Sequence, residues 1–193
     1  MNEKSDKYNR ILHAAIEVIS EKGLHKTSIA DVVRKAEVAQ GTFYLYFSSK
    51  HALIPAIAKN LLTNVLSNLE HRVSEDESFW NVLHIYIEET FEMTNKHKDV
   101  LSLCYAGLAF DYSMETWEKI YDPLYVWFEQ LLEKAITNRE VKNQIPISWT
   151  TKLIVNCVEN AAERFYISND QHMTVDDSKK ELFNFINRSL LSE

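Results

Sequence analysis

At 193 residues, with 46% hydrophobic and 25% charged side chains, the chain can bury a substantial core in one large domain or two small ones. Three glycines and three prolines are too few for the turns of an all-β fold, so long helices are expected and strands are not. The net charge of −7 argues against a uniformly nucleic-acid-binding surface, but it is uneven: residues 1–50 hold eight Lys/Arg against six Asp/Glu, and the rest hold thirteen against twenty-two.

Tyr8, Ile11, Leu12, Ala15, Ile16 and Ile19 recur at helical spacing until Gly23 ends the run, which predicts a first helix over about 6–22. Thr27 or Ser28 then caps a short second helix, SIADVVRKA, with Ile29, Val32, Val33 and Ala36 on one face and Asp31 within reach of a backbone donor. EVAQ breaks that pattern, Val38 plugs the gap, and a third short helix is expected over 40–46. Ser49 opens a long fourth helix over 50–73, striped by Leu53, Ile57, Leu61, Val65 and Leu69, with Pro55 in its early turns. A fifth carries Phe79, Leu83, Ile87 and Phe91, a sixth covers 100–110, and a seventh spans 114–138 with Pro123 inside. An eighth follows Pro146 over 148–167, and a ninth opens at Thr174 or Asp176 and ends near 191. The expectation is an all-α chain of about nine helices, with a head over 1–50 and a helical body over 51–193.

No stretch approaches the roughly 18 apolar residues of a membrane span, and no apolar run follows the charged N-terminus. A soluble, cytoplasmic protein is expected, with Cys104 and Cys157 as reduced core thiols. There is no Gly-rich phosphate loop and no nucleophile elbow. His84 and Glu88 stand one turn apart, a spacing that serves exposed ion pairs far more often than metals. No enzyme, cofactor or metal is expected.

The segment AQGTFYLYFSSK, from Ala39 to Lys50, carries three aromatics within residues 43–46 and a fourth at Phe47. Two short helices separated by about four residues fit a helix-turn-helix, whose second helix presents its N-terminal residues to the major groove. Gly41 then lets the backbone approach DNA, while Gln40 and Thr42 offer an amide, a hydroxyl and a methyl to base edges. Phe43 and Phe47 face inward, Tyr44 points outward to a phosphate, and Lys50, Thr27 and Ser28 stand at helix starts where phosphates are held.

The run KTSIADVVRKAEVAQGTFYLYFSSKHAL resembles the DNA-binding region of tetracycline-repressor (TetR) family regulators. Thr27, Val32, Val33, Ala36, Val38, Gly41, Tyr44, Tyr46, Phe47, Ser49, Lys50 and Leu53 occupy that family's positions. Two residues depart from it. Glu37 stands where the turn usually has glycine, at a cost of about 1 kcal/mol if φ is positive there. Ala39 replaces the usual serine, which removes an N-cap worth about 1 kcal/mol. The resemblance implies a homodimer on double-stranded palindromic operator DNA, a pocket for a small hydrophobic or amphipathic effector among the fifth to eighth helices, and repression relieved by that effector.

Eight aromatics lie between Tyr105 and Phe128, a lining suited to an apolar pocket with a few polar tips. Candidate lining residues are Phe91, Tyr105, Leu108, Trp117, Tyr121 and Tyr125, with Glu159 and Glu163 as acidic groups that can meet a cationic ligand. By resemblance the last two helices form the dimer interface, through Trp149, Leu153, Cys157, Ala161, Phe165, Leu182, Phe185 and Ile186. A helical adaptor without DNA binding is the rival reading, and it leaves Gly41, Tyr44 and Lys50 without a purpose.

Overall fold

The computed structural model describes residues 3–108, 113–168, 170 and 172–191, with residues 3–5 and 103–108 described by backbone alone. Eight helices and no strand make up the described residues: α1 (Glu3–Lys26), α2 (Ile29–Lys35), α3 (Gln40–Tyr44), α4 (Leu53–Arg72), α5 (Phe79–Leu108), α6 (Met114–Thr137), α7 (Ile147–Tyr166) and α8 (Val175–Leu190). Eight replaces the expected nine because the fifth and sixth are one rod, α5, bent at His97 (φ −117°, ψ 17°). The polar run from Thr94 to Asp99 reads as a break, but it holds no proline or glycine to remove a helical hydrogen bond. Gly23 kinks α1 at φ 78° and ψ 157°, where a side chain would be strained, and one more turn follows it. Pro55 falls in the first turn of α4, where its missing N–H leaves no bond unmade. Pro146 and Thr174 are the N-caps of α7 and α8, and the Thr174 hydroxyl accepts from Asp177 N–H.

The helices divide into two compact units, Met1–Asn60 with Asp99–Ile120, and Leu61–Lys98 with Tyr121–Glu193. The expected boundary at residue 50 follows the motif, whereas this division falls inside α4. In the first unit Ile11, Leu12, Ala15 and Ile19 of α1 bury against Val32, Phe43, Phe47, Leu53 and Ile57. Tyr8 stacks on Phe47 at 5.3 Å and meets Tyr46 edge-on at 5.8 Å. The second unit centres on Leu69, Phe79, Leu83, Tyr86, Phe91, Phe128, Val155, Val158 and Ala162. Glu140 accepts from the Phe79 N–H at 2.7 Å, which satisfies a donor at the start of α5. Arg72–Glu89 and Lys179–Glu88 ion pairs hold the outside of α5.

Candidate functional site

The second helix starts on a capping box. Ser28 Oγ accepts from Asp31 N–H at 3.1 Å, and Asp31 Oδ2 accepts from Ser28 N–H at 3.0 Å. Lys22 and Arg34 flank the same carboxylate at 2.6 and 2.8 Å, so Asp31 is held well below the usual carboxylate range, first by Lys22 and then by Ser28. The helix ends at Ala36 with Glu37 at φ 53°. Glu37 N–H donates to Arg34 O and Val38 N–H to Val33 O, the paired bonds of a Schellman ending. Arg10 reaches across from α1 and donates to Ala36 O at 2.6 Å and Glu37 O at 3.1 Å. The turn is thus the expected one, with glutamate in the glycine conformation and an arginine tying its carbonyls.

Helix α3 begins at Ala39, an N-cap with no side-chain bond. Phe43 is fully buried and Phe47 is 3% exposed, so the opposite side of this single turn faces outward. Gln40 and Gly41 are exposed, Thr42 is half-buried, and Tyr44 is 52% exposed. Leu45, absent from the expected contacts, is 76% exposed. Helical spacing from Phe43 and Phe47 places it on the outer side beside Gly41, a signal readable from the sequence alone. A Cβ built on Gly41 meets nothing within 4 Å, and its backbone is helical, so neither packing nor φ requires glycine there.

Two residues expected at phosphates are engaged within the chain. Thr27 is 2% exposed, and its hydroxyl donates to Gly23 O at 2.8 Å. Lys50 Nζ donates to Leu24 O at 2.7 Å and Thr27 O at 2.8 Å, with His25 O at 3.5 Å. Both serve the α1–α2 junction, where α1 leaves carbonyls without helical partners. Ser28 stays exposed, with its hydroxyl also donating to Asp31 at 2.6 Å.

The body's candidate residues separate into groups. In the second unit Tyr121 donates to Glu159 Oε2 at 2.8 Å and stacks on Tyr125 at 5.6 Å, and the Lys152 ammonium sits 5.2 Å from the Tyr125 ring centre. Burial pushes Glu159 up to about 7 against the Tyr121 hydrogen bond, and burial alone pushes Glu163 up to about 7. Phe91 is a fully buried core residue, edge-on to Tyr166 at 6.2 Å. Trp117 belongs to the first unit, where its indole N–H is buried with no hydrogen-bond partner. The side chains of Tyr105 and Leu108 lie outside the described residues. Tyr86 and Thr90, not anticipated, are 1% and 2% exposed, with their hydroxyls side by side. Their sequence signal is a pair of hydroxyls in the α5 stripe that holds Leu83, Ile87 and Phe91.

Trp149, Leu153 and Phe185 are 64%, 49% and 63% exposed and line a groove of about 450 Å³ between α7 and α8. Cys157 borders it half-buried, and Ala161, Phe165 and Leu182 are also half-buried. Ile186, 3% exposed, lies at the floor of the same groove. Of the weighed metal pair, His84 stacks on Phe183 at 3.9 Å, and Glu88 pairs with Lys179.

Residues 11–57 match the model for bacterial regulatory proteins of the tetR family, and residues 83–190 match the tetracyclin repressor-like C-terminal domain. The chain is 60% identical over 186 residues to YvdT, an HTH-type transcriptional regulator of Bacillus subtilis strain 168, covering 96% of each. It is 24% identical over 174 residues to the fatty acid metabolism regulator protein of the same organism, covering 89% of each. Among solved structures it is similar to FadR of Bacillus subtilis in complex with stearoyl-CoA, with a TM-score of 0.76, 20% identity, and 93% of this chain and 97% of that one covered. FadR of Bacillus halodurans is also similar, at a TM-score of 0.72 and 17% identity over 93% of this chain and 94% of that one.

Proposed function

The chain belongs to the TetR family of bacterial transcriptional regulators, and from that premise we propose that it represses its target as a homodimer released from DNA by a small apolar or amphipathic effector. Its head, residues 1–50, lays the outer side of α3 in the major groove. Gln40 and Thr42 read base edges, Leu45 meets a thymine methyl, and Tyr44 and Ser28 take phosphates. Gly41 carries this reading. A helical glycine with open space around its missing Cβ costs about 1 kcal/mol relative to alanine and gains nothing inside the chain. Close approach of an outside backbone or base accounts for it.

The exposed Trp149, Leu153 and Phe185 support a twofold mate on α7 and α8, which sets two recognition helices one DNA turn, about 34 Å, or a multiple of it apart. The effector enters the helical body, residues 51–193, near Tyr121 and Glu159, and acts on the head through α4. With no described helix long and apolar enough to cross a membrane, and DNA as the target, the cytoplasm is its place of work.

Gly41→Ala separates folding from binding. The expected outcome is unchanged or higher thermal stability with at least about tenfold weaker binding to DNA selected from a random pool, about 1.4 kcal/mol. Unaltered affinity in a gel shift of that variant would remove α3 from the interface.

A further inference from the structure

Glu159 on α7 is half-buried, and no basic side chain acts on it. Glu159 has one hydrogen-bond partner among the described residues, the Tyr121 hydroxyl at 2.8 Å, and Glu163, one turn along, has no side-chain hydrogen bond or ion pair. No basic side chain lowers either group's proton affinity, and the Lys152 ammonium lies over the Tyr125 ring. A carboxylate partly withdrawn from water with no cation beside it carries a cost, and such a group is seldom retained without a use. Facing it from α5 is Tyr86, 1% exposed and within reach of the Glu159 charge, with the Thr90 hydroxyl beside its own. From α6 come the stacked rings of Tyr121 and Tyr125, and Phe128 meets Tyr86 edge-on at 4.7 Å. The second unit therefore gathers an uncompensated acid, two hydroxyls with free lone pairs, and several aromatic rings.

We propose that the effector is a protonated primary or secondary amine on an apolar body, its ammonium held by the Glu159 carboxylate and the Tyr86 and Thr90 hydroxyls against the Tyr121 and Tyr125 rings. This inference rests on the effector reading above and names the chemistry of that site. An ammonium supplies two or three N–H donors, which match one carboxylate and two hydroxyl acceptors. The rings add cation–π attraction. Binding requires ionised Glu159, so it strengthens as pH rises through about 7. The other titratable groups facing the site are Tyr86 on α5, Tyr121 and Tyr125 on α6, and Glu163 on α7. Both Tyr86 and Tyr121 are pushed well above the usual tyrosine range, so they stay neutral throughout.

The test is calorimetric titration of the full chain with four probes that separate head group from tail: decylamine, decanol, decanoate and stearoyl-CoA. Decylamine is expected to bind at least tenfold more tightly than the other three at pH 8. Its advantage should shrink at least fivefold at pH 6 and vanish in Glu159→Gln. Glu163→Gln, which leaves the Tyr121 bond intact, serves as a second variant and should weaken decylamine by less. Decanol, decanoate or stearoyl-CoA binding as tightly as decylamine overturns the amine assignment and leaves the effector reading in place. If none of the four binds, both fall. A decylamine affinity indifferent to pH and to Glu159→Gln also overturns the assignment.

Discussion

Glu37 shows how one residue can hold an unfavourable backbone when its neighbours fix it. Its φ of 53° costs a non-glycine residue about 1 kcal/mol, and Arg10 and the paired Schellman bonds keep the turn closed regardless. The Arg10–Glu37 ion pair at 3.7 Å is exposed and contributes little. Glu37→Gly is therefore expected to raise the unfolding free energy by on the order of 1 kcal/mol, visible as a higher midpoint in urea. An unchanged or lower midpoint would show that the strain is relieved in a way the dihedral does not reveal. The departure was legible in the sequence because a known turn pattern asks for glycine there. The bonds of Lys50 to three carbonyls from residues 24–27 were not, since those carbonyls lie more than twenty positions away. A lysine at a helix start looks the same in sequence whether it meets a phosphate or the chain's own backbone.

At the scale of elements, apolar spacing located α1 to α4 and α6 to α8 within a few residues, because each buries an apolar side of its own. It split α5 in two because a polar run resembles a linker, whereas helix formers carry a rod through a bend at His97. Helix α7 holds a second lesson. Its glutamates are spaced as on a solvated face, and only the packing of α5 and α6 withdraws Glu159 from water. That burial has a sign in pH. Glu159 ionises near 7 folded and near 4.5 unfolded, so the folded state binds more protons between those values. Its contribution to stability is full below about pH 4.5 and is lost as pH rises through 7. His97, lowered mainly by its own burial, works in the opposite direction, so the variant difference isolates the glutamate. Thermal melts from pH 5 to pH 8 should show Glu159→Gln gaining on the parent chain as pH rises. Parallel curves would place the Glu159 carboxylate in water.

For the whole molecule, the decisive surface is the apolar face of α7 and α8, whose exposed Trp149 and Phe185 no single chain needs. Phe185→Glu puts a charge where a mate is expected to pack. It should convert the dimer to monomer in sedimentation while leaving helix content intact, and lower operator affinity on the order of a hundredfold through lost bivalency. A variant that still sediments as a dimer would move the interface elsewhere. The sequence carried the breadth of this face but not its inner limit, because the neighbours Phe185 and Ile186 line one groove and only Phe185 is exposed.

Among the described side chains of residues 1–50, at least five of the lysines and arginines are already engaged at home. Lys22 and Arg34 hold Asp31, Lys35 holds Glu17, Arg10 holds the turn, and Lys50 holds the end of α1. Each lysine or arginine that neutralises a phosphate adds roughly 0.9 to the log–log dependence of affinity on ionic strength. A head that keeps most of its positive charge for its own scaffold should have a shallow dependence. Such a regulator would stay on its operator through osmotic upshifts that strip more cationic proteins from the chromosome.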